Sequence, residues 1–170
     1  LRSLDLDSGQ PSDVLPVAAP RGASWNTRGD LVVAAEGGLT LRTADGATRA
    51  LTTVDAGAGE VAHLFPAFLA DGDHVLFFVR ASQPARQGIW LTSLAAPEAR
   101  RRVVGGAANG IVADGQLLYA NDGALVTQAL DVPYVIAEAS HAPRRAQGPT
   151  RAGHRAVERD ASMRGAQPED

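Results

Sequence analysis

The chain has 170 residues, of which 45% are hydrophobic, 5% aromatic and 21% charged, and its formal net charge is −3 at pH 7. These values predict one modest soluble domain, without the apolar run of roughly 18 residues that a membrane-spanning helix needs and without a signal peptide. The sequence contains no Cys, and all of its basic residues other than His are Arg. Thiol catalysis, thiolate zinc sites and Lys-dependent phosphate-binding, kinase or Schiff-base sites are therefore excluded.

The first predicted element is a hairpin in residues 1–19. Leu1-Arg2-Ser3-Leu4 parallels a later strand, Leu91-Thr92-Ser93-Leu94. The turn Asp7-Ser8-Gly9-Gln10 is expected to lead into a strand at Val14-Leu15-Pro16-Val17. We interpret this segment as the outer half of a repeat unit.

A repeat of 43 residues then organises the chain, marked by Gly29, Gly72 and Gly115. Each Gly is expected to close a turn, since Gly adopts positive φ without a Cβ clash. The predicted turns are Asn26-Thr27-Arg28-Gly29, Leu69-Ala70-Asp71-Gly72 and Val112-Ala113-Asp114-Gly115. A hairpin strand is predicted after each turn, at Leu31-Val32-Val33-Ala34, Val75-Leu76-Phe77-Phe78-Val79 and Leu117-Leu118-Tyr119-Ala120.

Two more strands follow in each repeat. The third strands are predicted at Leu39-Thr40-Leu41-Arg42, Ile89-Trp90-Leu91-Thr92-Ser93-Leu94 and Leu125-Val126-Thr127-Gln128-Ala129-Leu130. The fourth strands are predicted at Ala50-Leu51-Thr52, Arg102-Val103-Val104 and Val135-Ile136-Ala137. Four short strands in this period are typical of a propeller blade, and no segment has capped helical periodicity.

The predicted fold class is therefore all-β: a partial β-propeller of about three four-stranded antiparallel blades. The blades are expected at about 20–58, 59–105 and 106–139, preceded by the outer half-blade at 1–19. Residues 140–170 are rich in Arg, Ala, Gly and Pro and lack a strand period, so we predict a disordered tail.

Several of these segments resemble a known family. Trp25-Asn26-Thr27-Arg28-Gly29-Asp30 resembles the W-S-P-D-G-x turn of bacterial WD40-like, TolB-like propeller repeats. The stretch from Gly59 to Leu94 carries the most specific match, including His63-Leu64-Phe65-Pro66-Ala67-Phe68-Leu69 and Gly88-Ile89-Trp90-Leu91. It is similar to the C-terminal propeller of bacterial eukaryotic-like serine/threonine kinases, and the resemblance covers about residues 1–139.

The resemblance implies a non-catalytic interaction or sensing module. The kinase domain of such proteins lies upstream, and this chain has no glycine-rich loop, H-R-D or D-F-G motif. Thr27, Ala70 and Ala113 replace the turn Pro of the family, and Arg28 replaces its usual Asp. Family propellers close with more blades, so the resemblance also implies a fragment or a truncated copy.

Four side chains form the most site-like set: His63, Asp71, Asp73 and His74 could offer nitrogen and oxygen ligands to a metal. Their spacing is poor, and we interpret them as residues that shape a turn. Asp5-Leu6-Asp7-Ser8-Gly9 matches the start of a calcium loop but lacks its later acidic ligands, so a hairpin turn is predicted. We assign no catalytic, cofactor-binding or metal-binding residue, and no nucleophile motif is present.

Two further groups have both a binding and a structural interpretation. Arg100-Arg101-Arg102 could contact phosphates, but we interpret the run as charge that protects a strand edge. Six aromatic side chains are expected to pack between blades rather than form a binding cage. They are Trp25, Phe65, Phe68, Phe77, Phe78 and Trp90.

The predicted partner is a protein or small ligand that binds inter-strand loops such as 81–88, with no nucleic acid, no cofactor and no membrane insertion by this segment. Open blade edges are expected to favour self-association. If the chain belongs to a membrane-anchored kinase or a TolB-like protein, it faces the extracytoplasmic side. The alternatives are a fragment of a TolB-like periplasmic binding protein, a remnant of a propeller hydrolase or lyase, and a truncated copy without a function of its own.

Overall fold

The structure is a computed structural model that describes residues 1–106 and 109–130. This part of the chain is all-β, with thirteen strands, a single 3-10 turn at Ala56–Ala58 and no α-helix. It contains no helix of the length and apolarity that crossing a membrane would require.

The strands form four antiparallel sheets, each a simple meander of neighbouring strands. The N-terminal hairpin consists of β1 (Arg2–Leu4) and β2 (Pro11–Asp13). Sheet I consists of β3 (Ala23–Trp25), β4 (Leu31–Ala35), β5 (Gly38–Arg42) and β6 (Thr48–Thr53). Sheet II consists of β7 (Glu60–Phe68), β8 (His74–Ala81), β9 (Gly88–Ser93) and β10 (Arg101–Gly105). Sheet III consists of β11 (Gly110–Ala113), β12 (Gln116–Asn121) and β13 (Ala124–Ala129).

Sheet II lies between sheets I and III and is covered on both faces. Successive side chains of a strand point to opposite faces, so alternate residues of one strand enter different cores. Val75 and Phe77 join the core shared with sheet I, whereas Leu76 between them joins the core shared with sheet III. The same division separates Trp90 from Leu91 on β9. This two-sided burial explains why β8 and β9 read as nearly continuous apolar runs.

The three repeat glycines all have positive φ: 89° at Gly29, 69° at Gly72 and 71° at Gly115. The first two close the predicted turns, with N–H groups donating to the carbonyls of Asn26 and Leu69. The third turn is shorter than predicted, because Ala113 pairs directly with Gln116. Asp114 also has positive φ (49°), so Asp114 and Gly115 form the two-residue loop typical of a type I′ hairpin.

Gly38 and Gly88 occupy matching places, each at the start of the third strand of its sheet. Their φ angles are 141° and 149°, and a Cβ would lie 2.1 Å from the carbonyl oxygen of Thr52 at Gly38 and 2.0 Å from that of Val104 at Gly88. In both sheets the register to the fourth strand shifts beside this contact. The fourth strand therefore crosses so closely that only Gly fits beneath it.

The N-terminal hairpin differs from its prediction. Its second strand is Pro11–Asp13 rather than Val14–Val17, with Leu4 opposite Pro11. The Asp5 carboxylate accepts hydrogen bonds from the Asp7 and Ser8 amides and so tightens the turn. Pairing resumes at once after Gln10, whose carbonyl accepts from the Asp5 amide.

The other predicted strands form where the alternation indicated, within one or two residues at their ends. The fourth strand predicted at Val135-Ile136-Ala137 and the disordered tail predicted at 140–170 lie outside the described residues.

Candidate functional site

A buried polar cluster joins sheet I to sheet II, and we call it the buried relay. It consists of Thr52 on β6, Glu60 and His63 on β7, and Arg100 just before β10. The His63 and Glu60 side chains are 0% exposed and that of Arg100 is 18% exposed. Such a cluster can be stable only when its polar groups find partners within the protein.

Hydrogen bonds run through the relay in one line. The Leu39 amide donates to Thr52 Oγ1 (3.2 Å), and Thr52 Oγ1 lies 2.7 Å from His63 Nδ1. His63 Nε2 lies 3.1 Å from Glu60 Oε2, which also accepts from Arg100 Nη1 at 3.0 Å. His63 Nε2 also lies 3.0 Å from Arg100 Nη1, so this nitrogen faces both a donor and an acceptor. Protonated at Nε2, the imidazole donates to Glu60 and accepts from the Thr52 hydroxyl; protonated at Nδ1, it accepts from Arg100 and donates to Thr52 Oγ1.

Arg100 balances the charge of Glu60. Arg100 Nη2 lies 2.9 Å from Glu60 Oε1, an ion pair that is not aligned as a hydrogen bond, so Oε1 has no hydrogen-bond donor among the described residues. The guanidinium carbon is also 5.5 Å from the centroid of the Trp90 ring, within the range of a cation–π contact. Arg100 is therefore held by both a carboxylate and an aromatic face.

Burial and hydrogen bonding act in opposite directions on the two titratable groups. Burial favours the neutral form of Glu60, but hydrogen bonds from the Asp55 amide, Arg100 and His63 outweigh it and hold the pKa of Glu60 below its ordinary value. Burial lowers the pKa of His63, with Glu60 offsetting part of that effect and Arg100 adding to it. His63 is therefore neutral and Glu60 ionised at neutral pH.

The order of hydroxyl, imidazole and carboxylate in the relay is that of a nucleophilic triad. However, Thr52 is 7% exposed, and its oxygen already accepts from the Leu39 amide. The imidazole is fully buried, so no substrate can reach the hydroxyl and the base together in this arrangement. The relay fits a structural link between two sheets better than a catalytic centre.

The four side chains considered as metal ligands, His63, Asp71, Asp73 and His74, do not come together. His63 belongs to the relay, while His74 Nδ1 lies 2.6 Å from Asp71 Oδ2 at the β7–β8 turn. Asp73 pairs instead with Arg28 of sheet I at 2.8 Å. Asp71 shapes the turn, as the sequence predicts, because its carboxylate accepts hydrogen bonds from the Asp73 and His74 amides. No group of three or more acidic or His side chains among the described residues could hold a metal ion.

A second link joins the turns of sheets I and II. Arg28 Nη2 donates to the Gly72 carbonyl at 2.6 Å as well as to Asp73. Asn26 Nδ2 donates to the same carbonyl at 3.0 Å and to Asp30 at 2.9 Å. Arg28 thus reaches from the turn of sheet I to the turn of the next sheet.

The Asp5 turn needs no cation to hold it. One carboxylate oxygen of Asp5 accepts from the Asp7 amide and from both the amide and the hydroxyl of Ser8. These hydrogen bonds, led by that from the Ser8 amide, lower the pKa of Asp5. The predicted hairpin turn is present at Asp5 to Gln10, slightly earlier than expected.

The prediction for Arg100-Arg101-Arg102 was wrong for its first member. Arg100 is drawn into the relay, because Glu60 would otherwise be a buried charge without a counter-ion. Arg101 and Arg102 do lie on β10, the outer edge strand of sheet II.

The prediction that the aromatic side chains pack between sheets holds for only part of the set. Phe77, Phe78 and Trp90 are buried, and Phe68 packs partly against the core shared by sheets I and II. Trp25 is 52% exposed and Phe65 46% exposed, so neither serves as a core side chain. Trp25 lies on β3 and Phe65 lies on β7, and these two strands are the adjoining first strands of sheets I and II.

An open cleft lies beside this junction, between the β4–β5 turn and β7. Its volume is about 360 Å³, and its lining includes Arg21, Glu36, Val61, Leu64 and Arg80. We call it the junction cleft. Its size lies within the range of roughly 300–1,000 Å³ found for small-molecule sites. No local sequence pattern indicates this cleft, since its lining comes from four separate segments of the chain.

No family model matches the chain, and no curated protein matches it.

Proposed function

We propose that the chain is part of a β-propeller and acts as a non-catalytic protein-interaction or sensing module, of the kind that its resemblance to bacterial kinase propellers implies. The observation that carries this proposal is the stacking of sheet II between sheets I and III. Successive four-stranded meanders stacked through both faces are the building plan of propellers. The 43-residue spacing of the first hairpin turns supports the same plan.

The chemistry of the described residues supports binding rather than catalysis. The polar groups of the buried relay bond to one another and tie two sheets together. Side chains available to a partner lie instead in loops and at the sheet junction.

The loop between β8 and β9 is the proposed contact with a partner. Trp90 Nε1 donates to the Arg86 carbonyl at 3.0 Å, and the Gly106 amide donates to the Gln87 carbonyl at 3.3 Å. Residues 83–85 at its tip are exposed. A loop held at its base and exposed at its tip presents a defined surface at little entropic cost on binding.

Replacing residues 83–85 with Gly-Ser-Gly tests this assignment. The matched control places the same three residues at 97–99, in the β9–β10 loop at the other end of β9. We expect the first variant to lose proteins that the immobilised full chain retains from a bacterial extract, and the control to keep them. Equal retention by both variants, with unchanged circular dichroism, would contradict the assignment.

We also propose that open strand edges allow self-association. β13 is the outer edge of sheet III in the described part of the chain and carries no charged residue. By contrast, β6 and β10 carry Arg residues on their outer edges. Charge on an edge strand disfavours pairing with another chain, so β13 is the least protected of these edges wherever the fourth strand predicted at Val135-Ile136-Ala137 does not pair with it.

A further inference from the structure

The junction cleft combines positive charge with an apolar wall. Arg21 and Arg80 line it, and neither guanidinium has a hydrogen bond or ion pair with any described residue. Glu36 also lines the cleft and has no partner among the described residues, which leaves one surplus positive charge in the described lining. Val61, 51% exposed, and Leu64 supply apolar surface beside these charges.

The backbone around the cleft is held by a strained contact. Phe65 has φ of 51°, which is rare for a bulky residue and costs about 1–3 kcal/mol. It lies at a bulge, where the register of β7 to β8 shifts between Leu64 and Ala67. In this conformation its N–H donates to the Arg21 carbonyl at 2.9 Å.

The same contact explains why the residue after Arg21 is Gly. A Cβ at Gly22 would lie 3.0 Å from Phe65 Cα, so the two backbones meet too closely for a side chain. Gly22 and the Phe65 bulge therefore fix the position of Arg21 against β7. Such strain persists where the surrounding structure over-determines it, and it is concentrated at binding and active sites.

We propose that the junction cleft binds an extended acidic peptide of a partner protein, with Arg21 and Arg80 holding a carboxylate and Val61 and Leu64 contacting a neighbouring apolar side chain. Guanidinium groups suit this role because they bind carboxylates through two parallel hydrogen bonds. Glu36 disfavours ligands of high negative charge such as a phosphodiester chain, since like charges repel.

This inference rests on the proposed function as an interaction module, and it specifies the chemical class of the partner segment. Arg80 is the penultimate residue of β8, which ends at Ala81, so the cleft lies next to the start of the β8–β9 loop. The two can nevertheless be tested separately: loop replacement measures partner capture, whereas a small probe measures the cleft alone.

The test titrates N-acetyl-L-leucine, a carboxylate beside an apolar side chain, into the isotope-labelled full chain and follows backbone amide chemical shifts. We expect saturable shifts at Glu36, Val61 and Leu64. N-acetyl-L-leucinamide, which lacks the carboxylate, should bind at least about tenfold more weakly. This factor corresponds to the loss of one charge-assisted hydrogen bond. Inorganic phosphate at the same concentration should not reproduce these shifts.

Three exposed substitutions in the cleft and one control substitution complete the test. Arg21→Gln and Arg80→Gln should each weaken probe binding by about tenfold. Glu36→Gln should strengthen it by removing the opposing charge. Arg2→Gln, at an exposed ion pair of the N-terminal hairpin, should leave it unchanged. No shift up to the solubility limit of the probe, equal shifts from the amide, or probe binding that neither Arg variant weakens would overturn the proposal.

Discussion

The imidazole of His63 takes its hydrogen-bond partners from two sheets. Its place near Asp71, Asp73 and His74 in the sequence suggested a shared turn or metal set, but its real partners are Thr52 and Glu60. Glu60 lies three positions before His63 on the same strand. Thr52 lies eleven positions before it, on a strand of the other sheet. The pairing depends on how two sheets stack, and a single sequence carries no local signal for that.

The pKa directions of the relay predict acid sensitivity. Unfolded His63 takes up a proton below about pH 6.5, whereas folded His63, with its lowered pKa, does not. The unfolded state then binds more protons, so stability falls as the pH drops below 6.5. Glu60, also with a lowered pKa, contributes stability above about pH 4.5 that is lost as the pH falls through its folded value.

His63→Gln should remove the first of these two effects. We expect the dependence of the unfolding free energy on pH between 6.5 and 5 to become shallower by up to about 1.4 kcal/mol per pH unit. Urea titrations at several pH values measure this slope. Thr53→Ser, an exposed change on the same strand as Thr52, should keep the original slope. An unchanged slope in His63→Gln would show that His63 titrates in the folded chain as it does in the unfolded chain.

Replacing Arg100 with Gln should lower the unfolding free energy much more than replacing Arg102 with Gln. Arg100→Gln leaves Glu60 buried without its counter-ion and should cost about 3 kcal/mol of unfolding free energy. Among the described residues, Arg102 makes only long contacts of 3.5 Å to the Pro84 and Gln87 carbonyls, so Arg102→Gln should cost less than about 1 kcal/mol. Similar costs for both variants, measured by denaturant unfolding, would contradict the role given to the relay.

At the scale of elements, the sequence predicts most where structure is local. Alternation placed β4, β8 and β12, and the repeat glycines placed the turns that precede them. The predicted position of β2 was wrong, because hydrogen bonds to the Asp5 carboxylate tighten the turn and let the strand begin earlier than expected. The junction cleft could not be predicted, because Phe65 and Arg21 meet only after two sheets stack.

Gly37 and Gly38 offer a matched test of the close approach between β5 and β6. Both have positive φ, 87° and 141°, but a Cβ at Gly37 meets nothing within 4 Å. Gly37→Ala should therefore cost about 1–2 kcal/mol from backbone strain alone. Gly38→Ala adds a clash with the Thr52 carbonyl and should cost at least about 2 kcal/mol more, or prevent folding.

Thermal and urea unfolding of the two variants measure the difference. Gly88→Ala should repeat the larger effect in sheet II, since its Cβ would meet the Val104 carbonyl in the same way. Equal costs at Gly37 and Gly38 would mean that β6 can move away from β5 without loss.

At the scale of the whole molecule, polar links between sheets I and II accompany their shared core. The relay, the Arg28 contacts and a hydrogen bond from Arg49 Nη2 to the Leu94 carbonyl join them at separate places. A sheet held at both faces leaves mainly its edges for further association. The open edges should therefore govern how the chain associates in solution.

Thr127→Lys, on exposed β13, tests this expectation. We expect the average mass of the full chain from light scattering to rise with concentration, and Thr127→Lys to reduce that rise. Thr48→Lys on β6, a strand that already carries Arg49, should have little effect. A single mass equal to one chain at all concentrations would contradict self-association through β13.

The central claim is that sheet II stacks between sheets I and III, and contacts between methyl groups test it most directly. In the full chain with labelled Ile, Leu and Val methyls, nuclear Overhauser effects should connect β4 and β5 with β8 through the first core. A second set should connect β8 and β9 with Leu117 of β12 through the other core. Observing both sets would establish the stacked arrangement. Cross-peaks confined within each sheet would contradict it, and with it the propeller plan on which the proposed function depends.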